Sequence, residues 1–539
     1  WRAALEATGV QVASYYSHNA YLVYGEVAEL TRFKAYASSA SYVQWHGRMQ
    51  SEDKLIDSAR LLADKSLREG AAPVTNIYTV QFLASSPRGG DTEAALRSLA
   101  AGAIINDSEY LQYRNIRLPL SSEDLRAVAA LPDVIVIEPY VTPVKLDERQ
   151  NMIVAGNITG NNPTPGNYFS LLSTWGFTQA QFTASNFGVD ISDSGIDSGN
   201  AGDVRHFALW LDGSLSTSDR IVYNRLIGTP NVGSVVAGCD GHGNLNAHIV
   251  GGHTGTRTAA PHADAQGYRY GLGVAPFINR MGGSVIFDPN TFTSPDFEDL
   301  QSQAYNDSMR ISSNSWGAAV GGAYTTDAQR YDALVRDAQP TGSTVPVAGN
   351  QQMILLFAAG NSGSGANTVG SPATAKNVIT VGASENVHPF GAADQCGVAD
   401  SGADSANDMI GFSSRGPTDD GRFKPEIVAP GTHVTGGAAQ AAPTDLGNGA
   451  ALACFDAGGV CAGPGVSNFF PLGQQFYTAS SGTSHSTPAV AGGAALVYQQ
   501  FINNPSYLAT HRTPAGSAPP SPAMAKAYLT NAGRHMTGT

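Results

Sequence analysis

The sequence predicts an α/β protein in which a parallel β-sheet flanked by helices follows one or two small α+β units. From residue 151 onwards, nearly continuous apolar strands alternate with helical segments, a pattern typical of parallel strands buried on both faces. The part before residue 151 instead combines short amphipathic helices with strands rich in Val, Ile and Tyr. We therefore expect a large α/β domain over residues 151–539 and a smaller α+β region in front of it.

The N-terminal region repeats one order of elements: a helix, a turn of small residues, two strands, a helix and a last strand. The second copy, residues 77–147, adds an opening strand and has the pattern of a β-α-β-β-α-β, ferredoxin-like unit. The first copy, residues 1–51, lacks that strand and is predicted to end in a strand over residues 42–47. A helix and a polar linker over residues 52–76 would join the copies. The alternative is one irregular α+β domain.

Composition excludes several classes of function. The formal net charge is −13 and no Lys/Arg cluster stands out, so non-specific binding to nucleic acid or to anionic membranes is not expected. Charged residues make up 14% of the chain, against about 25% in typical soluble domains, and glycine is abundant. No apolar run reaches the ~18–20 residues that a membrane-spanning helix needs. This mixture fits an extracellular enzyme with many tight loops.

Separate segments offer the groups that a nucleophilic serine requires: a base, a carboxylate that orients it, and donors for an oxyanion. Asp193 ends an apolar strand and precedes a Ser-Gly turn. This position places its carboxylate at the sheet edge where catalytic groups of parallel sheets gather. Asp190 in the strand and Asp197 in the turn are the competing carboxylates, and a turn or cap residue is the ordinary alternative for Asp193.

The candidate base is His242, which stands between two glycines at the start of a helix of small residues. The positive end of the helix dipole is expected to lower the pKa of its imidazole. His248 lies six residues later and would face another side of the helix. Asn361 follows an apolar strand in a glycine-flanked turn and could donate to an oxyanion, although a simple turn role also explains it.

The candidate nucleophile is Ser484, which begins a helix directly after a Gly-Thr turn. Its backbone N–H could be a second oxyanion donor, and Ser481 and Ser486 are the neighbouring hydroxyls. The segment is not the G-x-S-x-G elbow of lipases and esterases, and the order serine, acid, histidine that those enzymes use is absent from the sequence. A lipase or esterase is therefore excluded.

The same segments resemble, in the same order, the motifs of the subtilisin-like serine peptidases, the subtilases. The aspartate motif is DSGID at 193–197, the histidine motif HGNLNAHIVGG at 242–252, the asparagine motif AAGN at 358–361 and the serine motif GTSHSTP at 482–488. The resemblance covers residues 151–539. It implies a subtilisin-like parallel sheet and a secreted serine endopeptidase that cleaves extended polypeptides through an acyl-enzyme.

By that resemblance, Asp193 orients His242, and His242 is the general base for Ser484. The side chain of Asn361 and the backbone N–H of Ser484 would hold the oxyanion. The competing hypothesis is a catalytically silent subtilase-like domain that is a binding or structural module. All of these chemical positions are occupied, which argues for the enzyme.

The resemblance also implies a substrate-binding strand, formed by Ser315, Trp316 and Gly317, that pairs with the substrate backbone. No cofactor is implied for catalysis. A structural calcium ion is compatible with the family, and the Asp-rich insertion at 391–408 is one place for it, although freely solvated acids explain those residues equally. The sequence does not identify the ligands of any metal.

The histidine motif contains the main departures from the family pattern. Asn244 stands where the family usually has Thr, Asn246 where it has Val, and His248 where it has Gly. The bulky side chain of His248 is expected to crowd the helix against the sheet.

The N-terminal units resemble the inhibitor-like propeptides of subtilases, in tandem, so that the whole chain would be a zymogen. A tail over residues 141–150 would enter the active-site cleft and contain the processing site. The alternative is a permanent accessory domain. We expect further sequence before Trp1, with a signal peptide that is removed, and after Thr539.

The chain has four cysteines, and an even number without CxxC spacing favours disulfides in a secreted protein. Cys454 and Cys461 flank a short glycine-containing loop and are predicted to pair, which would leave Cys239 to pair with Cys396. The alternative is four buried free thiols.

Overall fold

The computed structural model describes residues 2–16, 20–55, 75–110, 113–139, 149–164, 167–255, 257, 259–264, 267–288, 291–456, 460–461, 468–503 and 519–537. The chain divides into two compact units, Trp1–Pro143 and Val144–Thr539. Among the described residues, no helix combines the length and the apolar character that crossing a membrane requires.

The N-terminal unit is built on a four-stranded antiparallel sheet with the strand order β4-β5-β3-β6. This order, with a helix after β3 and another after β5, is the ferredoxin-like arrangement predicted for the second copy. Its helices are α1 (Arg2–Glu6), α2 (Val27–Ser39), α3 (Gly89–Leu99) and α4 (Leu125–Ala129), with a 3₁₀ turn at Ser51–Lys54. Its strands are β1 (Gln11–Tyr16), β2 (Ala20–Tyr24), β3 (Thr75–Leu83), β4 (Asn106–Tyr110), β5 (Tyr113–Ser121) and β6 (Val134–Pro139).

The prediction of a strand at residues 42–47 is wrong. This segment has no regular structure, and the side chain of Trp45 is 79% exposed. Its alternating pattern has no neighbouring strand to pair with, because β1 and β2 form a separate two-stranded hairpin. That hairpin packs on the larger sheet, with Ala13 against Leu83 and Ile135. The division into copies at residues 51 and 77 stays a prediction, since most of the linker lies outside the described residues.

The C-terminal unit contains the predicted parallel sheet, with seven strands in the order β10-β11-β9-β12-β13-β14-β15. The strands of this unit are β7 (Ile158–Thr159), β8 (Asn162–Pro163), β9 (Gly188–Asp193), β10 (Ile221–Leu226), β11 (Arg280–Val285), β12 (Met309–Asn314), β13 (Ile354–Ala358), β14 (Ile379–Ser384), β15 (Ile427–Pro430), β16 (Val434–Gly437) and β17 (Tyr477–Ser480). Its helices are α5 (Arg149–Val154), α6 (Tyr168–Thr174), α7 (Gln179–Ser185), α8 (His242–Gly251), α9 (Phe297–Asn306), α10 (Thr326–Leu334), α11 (Thr483–Asn503) and α12 (Pro522–Ala532), with 3₁₀ turns at Phe207–Leu209, Leu211–Gly213 and Asp400–Gly402.

Helices cover both faces of this sheet, as the continuous apolar strands predicted. Along β13, Ile354 and Leu356 belong to one buried cluster, which also contains residues of α8 and α11. Leu355 and Phe357 belong to another cluster, which contains residues of α9 and α10. Successive side chains of a strand point to opposite faces, so alternate residues fill two separate cores.

The carboxyl ends of the central strands define one edge of the parallel sheet. In the pairing register, Asn314 of β12 lies opposite Ser192 of β9, and Phe357 of β13 lies opposite Asn314. Asp193 at the end of β9, Ser315 just after β12 and Ala358 at the end of β13 therefore meet at this edge. Polar groups at such an edge can reach a ligand without interrupting the sheet.

Candidate active site

Asp193 and His242 are hydrogen-bonded to each other. Asp193 is the last residue of β9, its side chain is nearly buried, and its Oδ1 lies 2.8 Å from His242 Nδ1. The backbone N–H of Ser194 donates to the same oxygen at 2.8 Å. A carboxylate can only accept, so the imidazole proton is on Nδ1 and Nε2 of neutral His242 is left free to accept a proton.

The shift in the pKa of His242 is opposite in direction to the shift expected from the helix dipole. Burial alone lowers this pKa, but the charge and hydrogen bond of Asp193 and the charge of Asp240 outweigh burial and raise it to about 9. Asp240 is held close because its Oδ1 accepts the backbone N–H of His242 at 3.1 Å and the hydroxyl of Ser194. The two nearby carboxylates therefore favour the protonated imidazole despite its burial.

Ser484 is the second residue of α11, and its hydroxyl donates to the backbone carbonyl of Ser315 at 3.2 Å. In return, the Ser315 hydroxyl donates to the carbonyl of Ser484 at 2.7 Å. Within the described part of the chain, no hydrogen bond joins Ser484 to His242. The serine segment thus reaches the predicted edge of the sheet with its side chain turned towards Ser315.

The two neighbouring serines have other roles. The Ser481 hydroxyl donates to Asp394 at 2.6 Å and accepts the backbone N–H of His433 at 2.8 Å. Ser486 is completely buried. Ser484 and Ser481 are both partly buried, but the Ser481 hydroxyl is bound to a carboxylate, so of the three Ser484 is the hydroxyl best placed to meet a substrate.

Asn361 lies three residues beyond β13 and is oriented by Thr483. Its Oδ1 accepts the backbone N–H of Thr483 at 3.0 Å and the hydroxyl of Thr483 at 2.9 Å. Asn361 is exposed, and its Nδ2 makes no hydrogen bond to any described residue. The amide therefore presents two free N–H donors beside the start of α11.

The segment of Ser315, Trp316 and Gly317 continues the chain beyond β12. Trp316 packs its ring among aromatic side chains, with ring centroids 5.6 Å from Phe297 and 5.3 Å from Phe357. Gly317 is exposed, and the next residue pairs with the loop at Ser371 in an antiparallel bridge. The indole therefore anchors the segment from the core side while the backbone at Gly317 faces solvent.

The competing carboxylates are accounted for by the fold. Asp190 is fully buried and accepts hydroxyl hydrogen bonds at 2.6–2.9 Å from a set of side chains around it, Ser192, Tyr223, Ser284 and Ser312. Asp197 is also buried and accepts backbone N–H groups of Arg205, His206 and Gln440. Both are structural, which leaves Asp193 as the partner of the histidine.

The expected crowding by His248 is not observed. The ring is fully buried, and its Nδ1 lies 2.8 Å from the backbone carbonyl of Asn244. It faces Gly437 in β16, where a Cβ atom would lie only 2.1 Å from His248 Nε2. Gly436 makes similar room for Leu245, with a Cβ 2.8 Å from Leu245 Cγ. The glycines of the facing strand thus accommodate the large side chains of α8.

All four cysteines form disulfides, but the predicted pairing is wrong. Cys239 pairs with Cys454, and Cys396 pairs with Cys461. The backbone N–H of Asp456 donates to the carbonyl of Cys239 at 2.7 Å, which shows that the loop after Cys454 lies against that residue. The short spacing between Cys454 and Cys461 suggested a local loop closure, whereas the fold brings each next to a distant partner.

Two acidic residues of the 391–408 insertion, Asp404 and Asp408, lie with Glu385 so that their oxygens fall within 4.8 Å of one another. Burial, together with the charges of Asp404 and Asp408, raises the pKa of Glu385 to about 7. These oxygen ligands are of the kind that Ca²⁺ prefers. Calcium nevertheless stays a prediction, because a group of carboxylates is not by itself a metal site.

Comparison with known proteins agrees with the geometry. The model of the subtilase family matches residues 184–536, more than half of the chain. Serine protease AprX of Bacillus subtilis (strain 168) is 33% identical over 175 residues, which cover 32% of this chain and 32% of AprX. Pyrolysin of Pyrococcus furiosus is 42% identical over 87 residues, which cover 15% of this chain and 6% of pyrolysin. The alignments thus span a third or less of the length of these curated relatives.

Solved structures of similar proteins include fervidolysin from Fervidobacterium pennivorans, described as a keratinolytic enzyme related to subtilisin, which is 18% identical with a TM-score of 0.35. That match covers 81% of this chain and 56% of fervidolysin. Sphericase is 19% identical with a TM-score of 0.33, over 64% of this chain and 83% of sphericase. The assignment therefore depends on the family match and on the motif residues at the sheet edge, and on these grounds the chain belongs to the subtilase family of serine peptidases.

Proposed function

We propose that the chain is a secreted serine endopeptidase that hydrolyses extended polypeptides through Asp193, His242 and Ser484. The observation that carries the proposal is the 2.8 Å hydrogen bond between His242 Nδ1 and a buried carboxylate. That bond leaves Nε2 as the accepting nitrogen of the neutral imidazole. Such an orientation is what a general base beside a serine nucleophile requires.

In the proposed reaction the Ser484 hydroxyl turns from the carbonyl of Ser315 to Nε2 of His242. As Oγ attacks the scissile carbonyl carbon, its proton passes to Nε2, and Asp193 stabilises the imidazolium that forms. His242 then donates this proton to the leaving amine, so that the C–N bond breaks and an ester to Ser484 remains. Water, activated by the same imidazole, hydrolyses the ester.

The oxyanion would be held by Asn361 Nδ2 and by the backbone N–H of Ser484. Thr483 supports this role because it occupies Asn361 Oδ1 with two donors and so turns the amide nitrogen away from itself. The Thr483 hydroxyl also accepts the backbone N–H of Gly360 at 3.2 Å, which ties the turn to the start of α11. Donors fixed before the reaction lower its barrier most effectively.

Substrates would be extended segments, because Ser315, Trp316 and Gly317 offer a backbone edge to which a strand can be added. The anchoring of the Trp316 ring holds that edge in place. Secretion is supported by the two disulfides, since such bonds persist in oxidising compartments.

The N-terminal unit is proposed as the intramolecular inhibitor and the chain as its zymogen. Support comes from the compact ferredoxin-like sheet of residues 75–139 and from its resemblance to subtilase propeptides. The proposed tail at 141–150 lies mostly outside the described residues. Calcium is proposed as a structural ligand only, with no part in the reaction.

The silent-module hypothesis has one observation in its favour, namely that Ser484 donates to Ser315 rather than to His242. Catalytic hydrogen bonds are often misaligned in the absence of substrate, so this geometry does not exclude catalysis. A fluorophosphonate probe separates the two functions, because only an activated serine is labelled. We expect labelling at Ser484, normal labelling in Ser486→Ala and none in Ser484→Ala. If the wild-type chain is folded but not labelled, the chain is a catalytically silent module.

A further inference from the structure

The carboxylate of Asp193 has a second side-chain partner, Asn246. This residue lies four positions after His242 on α8, so both side chains project from the same face of the helix. Asn246 Nδ2 donates to Asp193 Oδ2 at 2.9 Å, while Oδ1 of the same carboxylate accepts from His242. Both oxygens of the carboxylate are therefore bound by groups of one helix.

Asn246 is in turn held by His485, the residue directly after Ser484. His485 Nδ1 lies 2.9 Å from Asn246 Oδ1, and both residues are buried. Because the amide nitrogen of Asn246 faces the carboxylate, its oxygen must face His485, which therefore has its proton on Nδ1. A continuous path of hydrogen bonds runs from the serine helix α11 through α8 to the end of β9.

The charge state of His485 suits a fixed donor. Burial, and then the charge of nearby His242, lower the pKa of His485 well below 6.5. The two imidazole rings are 5.4 Å apart, centroid to centroid. A histidine that stays neutral can donate to Asn246 without placing a second positive charge beside His242.

We propose that Asn246 and His485 are positioning residues of the catalytic centre, which hold the Asp193 carboxylate with Oδ1 towards His242. The proposal rests on the proposed peptidase function. A carboxylate bound through one oxygen can still rotate about its terminal bond, and a donor on the other oxygen opposes that rotation. The bridge also links the segments of the nucleophile, the base and the carboxylate, so that a shift of one affects the others.

The bridge uses Asn246, one of the positions at which the histidine motif departs from the usual subtilase pattern. Asn246 stands where the family usually has Val, which has no donor, and His485 occupies the variable position of the serine motif. Each residue supplies the group that the other needs: a buried amide would leave its oxygen unpaired without His485, and unpaired buried polar groups are costly. Within this fold, the two buried side chains therefore satisfy each other's hydrogen-bonding groups.

The test compares side chains of similar shape with and without a donor. Asn246→Leu and His485→Leu remove the two links, whereas His485→Asn retains an amide N–H at about the position of imidazole Nδ1. We expect Asn246→Leu to lower kcat roughly 10- to 100-fold with little change in KM, as for the loss of one hydrogen bond to a charged group. His485→Leu should lower kcat less, and His485→Asn should restore part of that loss.

The combination of both changes distinguishes a bridge from two separate packing effects. If His485 acts through Asn246, Asn246→Leu/His485→Leu should have about the kcat of Asn246→Leu alone. If the kcat losses of the two single variants instead multiply in the double variant, the proposal is overturned. Asn244→Leu is the matched control, since Asn244 is equally buried on α8 but contacts Gly437 and Asp197. It should lower the melting temperature without the selective loss of kcat.

A measurement without turnover separates this inference from the peptidase function itself. In a Ser484→Ala chain, the proton between His242 Nδ1 and Asp193 can be followed as a downfield NMR resonance. Asn246→Leu should broaden it by faster exchange with solvent, and Asn244→Leu should not. An active enzyme whose resonance and kcat are unchanged by Asn246→Leu would refute the bridge alone. A wild-type chain without activity or probe labelling, but with the expected broadening, would refute the peptidase function and leave the bridge in place.

Discussion

The two compact units bury their sheets in different ways. In the N-terminal unit, β5 alternates between buried and half-buried residues, as expected for an antiparallel sheet with one covered face. In the C-terminal unit, every residue of β9, β13 and β14 is buried. A polar group inside such a strand must find partners within the fold. Asp190 in the middle of β9 is surrounded by hydroxyl donors, whereas Asp193 at its end is available to His242.

This difference distinguishes polar groups that stabilise the fold from polar groups that are available to bind or react with a substrate. Inside the parallel sheet, both carboxylate oxygens of Asp190 accept hydroxyl hydrogen bonds, which stabilise this buried group within the fold. At the carboxyl edge of the sheet, Asn361 is bound through Oδ1, while its Nδ2 has no hydrogen-bond partner among the described residues. If this division is correct, changes at the edge should affect turnover strongly and stability weakly. Changes in the N-terminal unit should affect inhibition only.

The largest effect is expected at Ser484. Ser484→Ala should reduce turnover on the order of 10⁵- to 10⁶-fold while the melting temperature stays near that of the wild type. Hydrolysis of a peptide substrate and thermal unfolding measure the two quantities. Comparable activity in the variant would exclude Ser484 as the nucleophile. Ser486→Ala is the control, because it makes the same serine-to-alanine change near the same helix terminus and should leave turnover unchanged.

The next largest effect is expected when Asn361, a proposed donor to the oxyanion, is changed. Asn361→Ala removes one donor and should lower kcat roughly 10²- to 10³-fold with little change in KM. Steady-state kinetics on the same peptide give both constants. A change confined to KM would show that Asn361 is only a turn residue.

The N-terminal unit should inhibit rather than contribute to catalysis. We expect separately produced residues 1–140 or 1–150 to slow peptide hydrolysis by the processed enzyme at micromolar concentration. The same fragment with Val80→Asp is the control, because it places a charge in the buried core of the four-stranded sheet. If neither unmodified fragment slows hydrolysis, the unit is an accessory domain.

The zymogen hypothesis also predicts self-processing. N-terminal sequencing of the wild-type chain should find cleavage within residues 141–152, while Ser484→Ala should retain the uncut chain. Equal processing of both chains would show that another peptidase makes the cut.

The smallest effect concerns pH. His242 must be neutral to accept the proton of Ser484, so kcat/KM should rise as pH increases through its pKa, which lies above 6.5. Asp240→Asn removes one of the charges that raise this pKa and should move the acid limb to lower pH. Asp420→Asn makes the same change in net charge at a surface ion pair with Arg422 and should leave the limb in place. Identical limbs in wild type and Asp240→Asn would contradict the role of Asp240.

Local pattern was sufficient for the strands that are buried on both faces. The predicted apolar runs correspond to β9, β11, β12, β13 and β14. No strand is predicted at the outer β10 and β15. Asn224 and Arg225 interrupt the apolar run of β10, and β15 consists of only the four residues Ile427–Pro430. The prediction of a strand at residues 42–47 is wrong for a different reason. Their alternating pattern suits a strand, but none of the described strands lies beside them to pair with.

The sequence alone is sufficient to propose the residues of the candidate site, since a carboxylate after an apolar strand or a serine at a helix start has a local signature. The tertiary structure decided which groups face one another. It paired Cys239 with Cys454, matched His248 with Gly437, and joined Asn246 to His485 and Asp193. Each of these contacts joins segments distant in the chain, and spacing along a sequence does not determine distance in space. Tertiary contact also reversed the expected direction of the shift in the His242 pKa, because Asp193, at the end of β9, lies 2.8 Å from His242 at the start of α8.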